Sequence, residues 1–212
     1  MIATDHEIYL SIRARIFDGQ LGVDTFINVK DLSCQLKVSP LPIREALIRL
    51  SSEDLLNYSR SKGYFISKID YNSLINAYNN MYILAKCAAI WRLNNPADRP
   101  PLRSQQLDDV HICPKNLQPD SIDLMLEGVS ATLMNDHSSR LFLHELRRTR
   151  PYRSCIAPYR EDKEEVISNL CSLRSSILSQ DYKTTLSKTR ELRNNAIKYS
   201  SNNYEIYSAI VR

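Results

Sequence analysis

Glycine is scarce in this sequence: there are four in 212 residues, and only Gly128 lies beyond residue 69. So small a supply leaves no Gly-rich phosphate loop, and beyond residue 69 it argues for helices with few tight turns. Histidine is equally rare: His6, His111, His137 and His144, with none after. The five cysteines (Cys34, Cys87, Cys113, Cys155 and Cys171) are odd in number and widely spaced. Without a Cys-x-x-Cys pair they indicate neither a zinc ribbon nor a thioredoxin-type site, and they read as reduced, mostly buried thiols. No run of about 18 apolar residues is present, so no membrane-spanning helix and no membrane partner are expected. The N-terminal residues lack the basic-then-apolar pattern of a signal peptide, which makes a cytoplasmic location the default. No Ser nucleophile elbow, paired-carboxylate motif or metal-binding His pair supports an enzyme, and no cofactor is expected.

What is present is an ordinary globular composition, 43% hydrophobic and 25% charged, with a net charge of +4. The first 69 residues hold nine Lys and Arg against eight Asp and Glu. A nucleic-acid function must therefore rest on where the charges sit.

The remaining glycines, Gly19, Gly22 and Gly63, all fall before residue 70, and this change of composition places a domain boundary between residues 69 and 70. Ahead of it, Ile8, Ile12, Ile16 and Phe17 recur at helical spacing, with Gly19 as a stop. Asn28 is a good N-cap for a second helix through Leu32 and Leu36. Ser39 and Pro40 then suit the N-cap and first position of a third, with Pro42 tolerated in its first turn. In that helix Ile43, Leu47 and Leu50 form the buried stripe, leaving Arg44, Ile48 and Arg49 on other faces. Leu55 to Arg60 and Tyr64 to Ser67 are short and β-prone, separated by the turn signal Ser61-Lys62-Gly63. Three helices and a small hairpin make a winged helix-turn-helix.

Beyond residue 70 the pattern is helical: Leu74, Ile75, Tyr78, Tyr82, Ala85 and Ala89, then a loop near Asn94 to Pro101. Further stripes follow at Ile122, Leu126, Val129 and Leu133, at Leu141, Phe142 and Leu146, and at Val166, Leu170, Leu173 and Ile177, and then Leu186, Ala196 and Ile197. The expected fold is mostly α, with an N-terminal winged helix-turn-helix (1–69) followed by an antiparallel bundle of about six or seven helices (70–212).

The stretch Ile12 to Ile69 resembles the GntR family of transcriptional regulators. Val38-Ser39-Pro40-Leu41-Pro42-Ile43-Arg44-Glu45-Ala46-Leu47 is similar to the family's Val-Ser-Arg-x-Pro-Val-Arg-Glu-Ala-Leu, and Lys62-Gly63-Tyr64-Phe65-Ile66 is similar to its wing signal. Two positions depart from the pattern: Pro40 stands where the family often has arginine, which removes one DNA contact, and Asp54 replaces the glycine usual before the wing. The resemblance implies a homodimer on an inverted-repeat operator in double-stranded DNA. Arg44 is the first candidate, because a guanidinium can pair with guanine O6 and N7. Ser39 can donate to a phosphate beside the exposed N–H groups of a helix start. Lys30 matches a DNA-contacting basic position, Arg60 and Lys62 sit at the wing, and Arg49 is a phosphate contact or a surface charge.

The helical remainder resembles the effector domain of the fatty-acid-regulator branch, often called FCD. Many of its members hold a divalent metal on one Asp and three His. Aligned on Ser138-Ser139-Arg140-Leu141, those ligand positions fall near Met125, Val129, Leu170 and Leu192, none of which coordinates. The charged pair of the first effector helix is replaced by Met81 and Ala85. Asp108, His111 and Cys113 form a local cluster, but the prolines around Pro114 put it outside the bundle centre. No metal is therefore expected. His137 reads as a cap or surface residue and His144 as a partly exposed helix residue. Tyr82, Trp91, Arg148 and Asn194 are candidate lining residues for a small-molecule effector. The alternative is a helical domain that only dimerises or binds a protein.

Overall fold

The computed structural model describes residues 4–17, 20–21, 23–24, 26–53, 55–66, 68–97 and 119–210. Gly19, Gly22, Asp54, Ser67 and the Asp108–His111–Cys113–Pro114 cluster lie outside these residues, as does the end of the loop expected at Asn94 to Pro101. The fold is mostly helical, with an N-terminal winged helix-turn-helix ahead of a helical domain.

Helix α1 (Asp5–Phe17), α2 (Val29–Leu36) and α3 (Pro40–Ser52) precede a hairpin of β1 (Asn57–Ser59) and β2 (Gly63–Phe65). Ile8, Ile12 and Ile16 of α1 meet Ile43, Leu47 and Leu50 of α3, and Leu32, Leu55, Leu56 and Ile66 close the same core. Local chemistry sets the helix starts. The Asn28 carboxamide oxygen accepts from the Lys30 N–H at 2.9 Å and from the Asp31 N–H at 3.4 Å, satisfying two otherwise orphaned donors. Helix α2 ends on Lys37 at φ 55°, in the left-handed region, and its N–H bonds back to the Ser33 carbonyl. That reversal turns the chain into Ser39, which sits at the N-cap of α3 in extended conformation with Pro40 behind it.

In the hairpin Asn57 faces Phe65, Tyr58 faces Tyr64 and Ser59 faces Gly63. The Lys62 N–H closes the turn on the Ser59 carbonyl at 3.2 Å. Gly63 follows at φ +90°, a conformation that side-chain-bearing residues rarely adopt. Val23 and Phe26 bridge to Ile66 and Phe65 along the other edge of β2.

The described helices continue as α4 (Tyr71–Asn94), α5 (Pro119–Leu133), α6 (Asp136–Arg148), α7 (Arg150–Ile156), α8 (Lys163–Leu178) and α9 (Tyr182–Ile210), with a 3₁₀ turn at Ala157–Tyr159. Asp70 caps α4, its carboxylate accepting from the Ser73 N–H at 3.0 Å. Asn135, not His137, caps α6; His137 is exposed and His144 half-buried. The core face of α4 is Leu74, Ala77, Tyr78, Met81, Ala85, Ala89 and Arg92. Arg92, a residue outside the expected stripe, is 4% exposed. It donates to the carbonyls of Leu133 and Thr132, each at 3.0 Å, placing a cation on the last carbonyls of α5, where the helix dipole favours it. Leu141, expected in the α6 stripe, is exposed, while Phe142 and Leu146 are buried.

The thiols depart from expectation. Cys34, Cys87 and Cys171 are exposed and Cys155 is half-buried; all four are free. Cys34 lies one residue past the buried Ser33 on α2, Cys171 one past the buried Leu170 on α8, and Cys87 midway between the buried Ala85 and Ala89 on α4.

Candidate nucleic-acid interface and ligand cavity

Ser39, Arg44, Lys30, Arg60 and Lys62 are all exposed. Ser39 makes no side-chain capping bond within α3, so its hydroxyl is free of the one local duty it was suited to. Arg44 projects from the second turn of α3, about 100° round the helix from the buried Ile43. Lys30 lies in the first turn of α2, where Asn28 fixes the backbone. Arg60 and Lys62 occupy the hairpin turn. The Lys62 ammonium lies 5.3 Å from the centroid of the Phe26 ring, which itself packs on Phe65 at 5.1 Å. That contact steadies a long side chain that would otherwise be free to wander.

Arg49 is committed elsewhere. Its guanidinium lies 3.8 Å from the centroid of the Tyr9 ring and its Nε is 3.3 Å from Glu53 Oε1. The Tyr9 hydroxyl donates to the other Glu53 oxygen at 2.7 Å, and burial, reinforced by that carboxylate, raises the Tyr9 phenol above its ordinary pKa. This cluster ties the flank of α3 to α1 through Arg49, Glu53 and Tyr9.

The helical domain holds a cavity of about 110 Å³ lined by α4, α5, α6, α7, α8 and α9. Its wall is aliphatic and aromatic over most of its area, with Arg153, Arg160 and Arg193 as its charged groups and no Asp, Glu or His among the lining residues. Arg153 is spent on structure. It donates to Thr149 Oγ1 at 3.3 Å and to the Leu146 carbonyl at 2.7 Å, and it pairs with Asp123. Arg160 and Arg193 are held over tyrosine rings, 4.7 Å from the Tyr199 centroid and 5.5 Å from the Tyr82 centroid. Arg160 also pairs with Asp162 at 2.7 Å, and Arg193 Nε donates to Asn79 at 2.8 Å. Burial pushes the Tyr199 phenol up to about 12, so it faces the cavity as a neutral group.

Of the expected lining residues only Tyr82 reaches this cavity. Trp91 is 47% exposed and borders a surface groove with Cys87 and Asn135. It precedes the buried Arg92 by one residue, which turns its ring about 100° away from that position. Arg148 is drawn to Glu145 at 3.1 Å and to the Ser73 carbonyl at 3.2 Å. Asn194 is exposed and accepts from Arg193. Arg153, Arg160 and Arg193, none of them foreseen, take these places. Only Arg193, four residues beyond the buried Thr189 on α9, carried a local signal.

The positions that the resemblance assigns to metal ligands do converge. Val129, Leu170 and Leu192 line the cavity, Met125 is buried among the same residues, and Met81 and Ala85 face them. Their side chains fill the space and offer no donor atom, so this cavity does not fit a divalent ion. Among the described residues no three His, Cys, Asp or Glu side chains group as metal ligands would.

Residues 4–66 match the family described as bacterial regulatory proteins, gntR family. The Nta operon transcriptional regulator of Aminobacter aminovorans is 40% identical over 62 residues, a match covering 29% of this chain and 30% of that protein. The chain thus matches under a third of that curated relative's length. Solved structures share the fold over nearly the whole chain. McbR/YncC of E. coli has a TM-score of 0.73 at 18% identity, covering 96% of this chain and all of that one. Lar, which controls the expression of the Listeria monocytogenes agr system, has a TM-score of 0.63 at 11% identity, covering 95% of this chain and 98% of that one. No described helix is long and apolar enough to cross a membrane. Over residues 4–66, the winged helix-turn-helix, the chain is similar to the gntR family of bacterial regulatory proteins.

Proposed function

We propose that the chain is a transcriptional regulator that binds an inverted-repeat operator as a homodimer, through α3 in the major groove and the β1–β2 turn on the flanking backbone. The observation that carries this reading is the face of α3: Ser39 and Arg44 stand free on it, while the opposite face is locked into the core. Arg44 pairs with a guanine edge. Ser39, Lys30, Arg60 and Lys62 meet phosphates, which set register and affinity more than sequence preference. Arg49, half-exposed on the flank of α3, is a phosphate contact or a surface charge. One winged domain reads one half-site, so two copies are needed. Residues 1–69 then form the DNA-binding unit and 70–212 the dimerising and sensing unit. On α4 the exposed Ile83, Cys87, Ile90 and Trp91 lie along one side and supply an apolar surface for the second copy.

We propose further that the cavity takes the effector without a metal. Arg193, whose hydrogen-bond partners Asn79 and Asn194 are neutral, on an otherwise apolar wall favours a small organic anion with an apolar body, its charge met by Arg193. The space left unfilled beside Arg193 favours the sensing reading over a helical domain that only dimerises or binds a protein.

The DNA-binding reading is tested by incubating the full chain with sheared genomic DNA of its source and sequencing the retained fragments. A short inverted repeat is the expected outcome; retention without sequence preference would contradict it. For the effector, a thermal-shift screen of metabolite carboxylates and phosphates should give a concentration-dependent rise in melting temperature, lost in Arg193→Ala.

A further inference from the structure

Two large aliphatic side chains stand beside Arg44 on the open face of α3. Leu41 is 64% exposed and Ile48 57%, while Ile43, Leu47 and Leu50 behind them are fully buried. At about 3.6 residues per turn, positions 41, 44 and 48 fall within about 60° of one another around the helix axis. They form a single stripe with the arginine in the middle. Scattered apolar residues are ordinary on a protein surface, but a helix face that met only phosphate would gain from donors at these positions. A leucine and an isoleucine offer none. The apolar group they can meet in a major groove is the C5 methyl of thymine.

We infer that Leu41 and Ile48 are specificity-determining residues that read thymine methyls on either side of the base bound by Arg44. The inference rests on the DNA-binding reading above. Along the helix axis Leu41 stands about 4.5 Å and Ile48 about 6 Å from Arg44, and base pairs stack about 3.4 Å apart. Each half-site therefore carries a guanine with a thymine, on either strand, one to two base pairs away on both sides.

The test starts by selecting binding sites from a random-sequence duplex library with the full chain. Affinity for the selected duplex is then compared with that for duplexes in which the flanking thymines are deoxyuridine, which lacks only the methyl. Each replacement should weaken binding about fourfold, the worth of one buried methyl group. Leu41→Ala and Ile48→Ala should each bind the thymine and deoxyuridine duplexes alike at the position that residue reads. Equal affinity of the parent chain for the two duplexes, or methyl discrimination that persists in both variants, overturns the inference and leaves the DNA-binding reading standing. A library that yields no preferred sequence overturns both.

Discussion

The backbone N–H of Ile69 donates to the phenolic oxygen of Tyr207 at 3.2 Å, across 138 positions of sequence. The next turn back on α9 completes the hold, for the Tyr204 hydroxyl donates to the Ile69 carbonyl at 2.9 Å. Both backbone groups of one residue between the wing and α4 are thereby satisfied by the last helix. Tyr207→Phe leaves a buried donor unpaired, and should cost about 1–3 kcal/mol. Urea unfolding of the variant measures this, and an unchanged midpoint would show that the bond carries no weight.

Asp123 sits between two buried guanidiniums. Arg150 Nη1 approaches its carboxylate at 2.5 Å and Arg153 takes the other oxygen, with the arginine side chains 2% and 7% exposed. Arg150 also lies 5.0 Å from the Phe17 ring, and the Ser154 hydroxyl donates to the Phe17 carbonyl. The cluster therefore sits where α1 meets α7. Removing this carboxylate takes a countercharge from two buried guanidiniums, so Asp123→Ala should lose about 3–5 kcal/mol. Chemical denaturation measures the loss, and a change below about 1 kcal/mol would mean that water reaches both guanidiniums.

Alkaline pH should unfold the helical domain. Burial raises the phenols of Tyr78, Tyr152, Tyr199 and Tyr207, that of Tyr199 to about 12. The unfolded chain ionises near the ordinary phenol value, about 10, while the folded chain keeps its protons longer. Stability is thus held below about pH 10 and falls as pH rises through about 12. Phenolate absorbance followed together with circular dichroism checks this; buried tyrosines that ionise near pH 10 in a still-folded chain would contradict it.

The proposed dimer surface on α4 yields a further expectation. Trp91→Asp places a charge on an exposed apolar strip without touching the cavity. Sedimentation velocity should show the parent as a dimer and the variant shifted toward monomer. A variant as dimeric as the parent would put the interface elsewhere.

Much of the winged helix-turn-helix was legible in the sequence because its signals are local. Asn28 caps the residues two and three ahead of it, Ser39 and Pro40 open α3, and the spacing of Ile43, Leu47 and Leu50 turns Arg44 outward. The cavity was not legible in this way. Its arginines come from α7, the segment before α8, and α9, and their orientation depends on partners far off in sequence: Asp123 for Arg153, Asn79 and Tyr82 for Arg193. Position on the helix, not residue type, decides direction, and Trp91 and Arg148 both lie off the buried faces of their helices. Arg49 illustrates the same limit, since only the fold brings Tyr9 and Glu53 to it.

The most direct test of the central claim is the affinity of the full chain and of Arg44→Ala for a duplex selected by the parent, read by fluorescence anisotropy over a series of salt concentrations. The account predicts that Arg44→Ala loses about 1–3 kcal/mol and relaxes the preference at one base pair per half-site, whereas Lys62→Ala weakens all duplexes evenly and reduces the salt slope by about one. An Arg44→Ala chain that binds the selected duplex as tightly and as selectively as the parent would contradict the assignment of α3 as the helix that reads DNA.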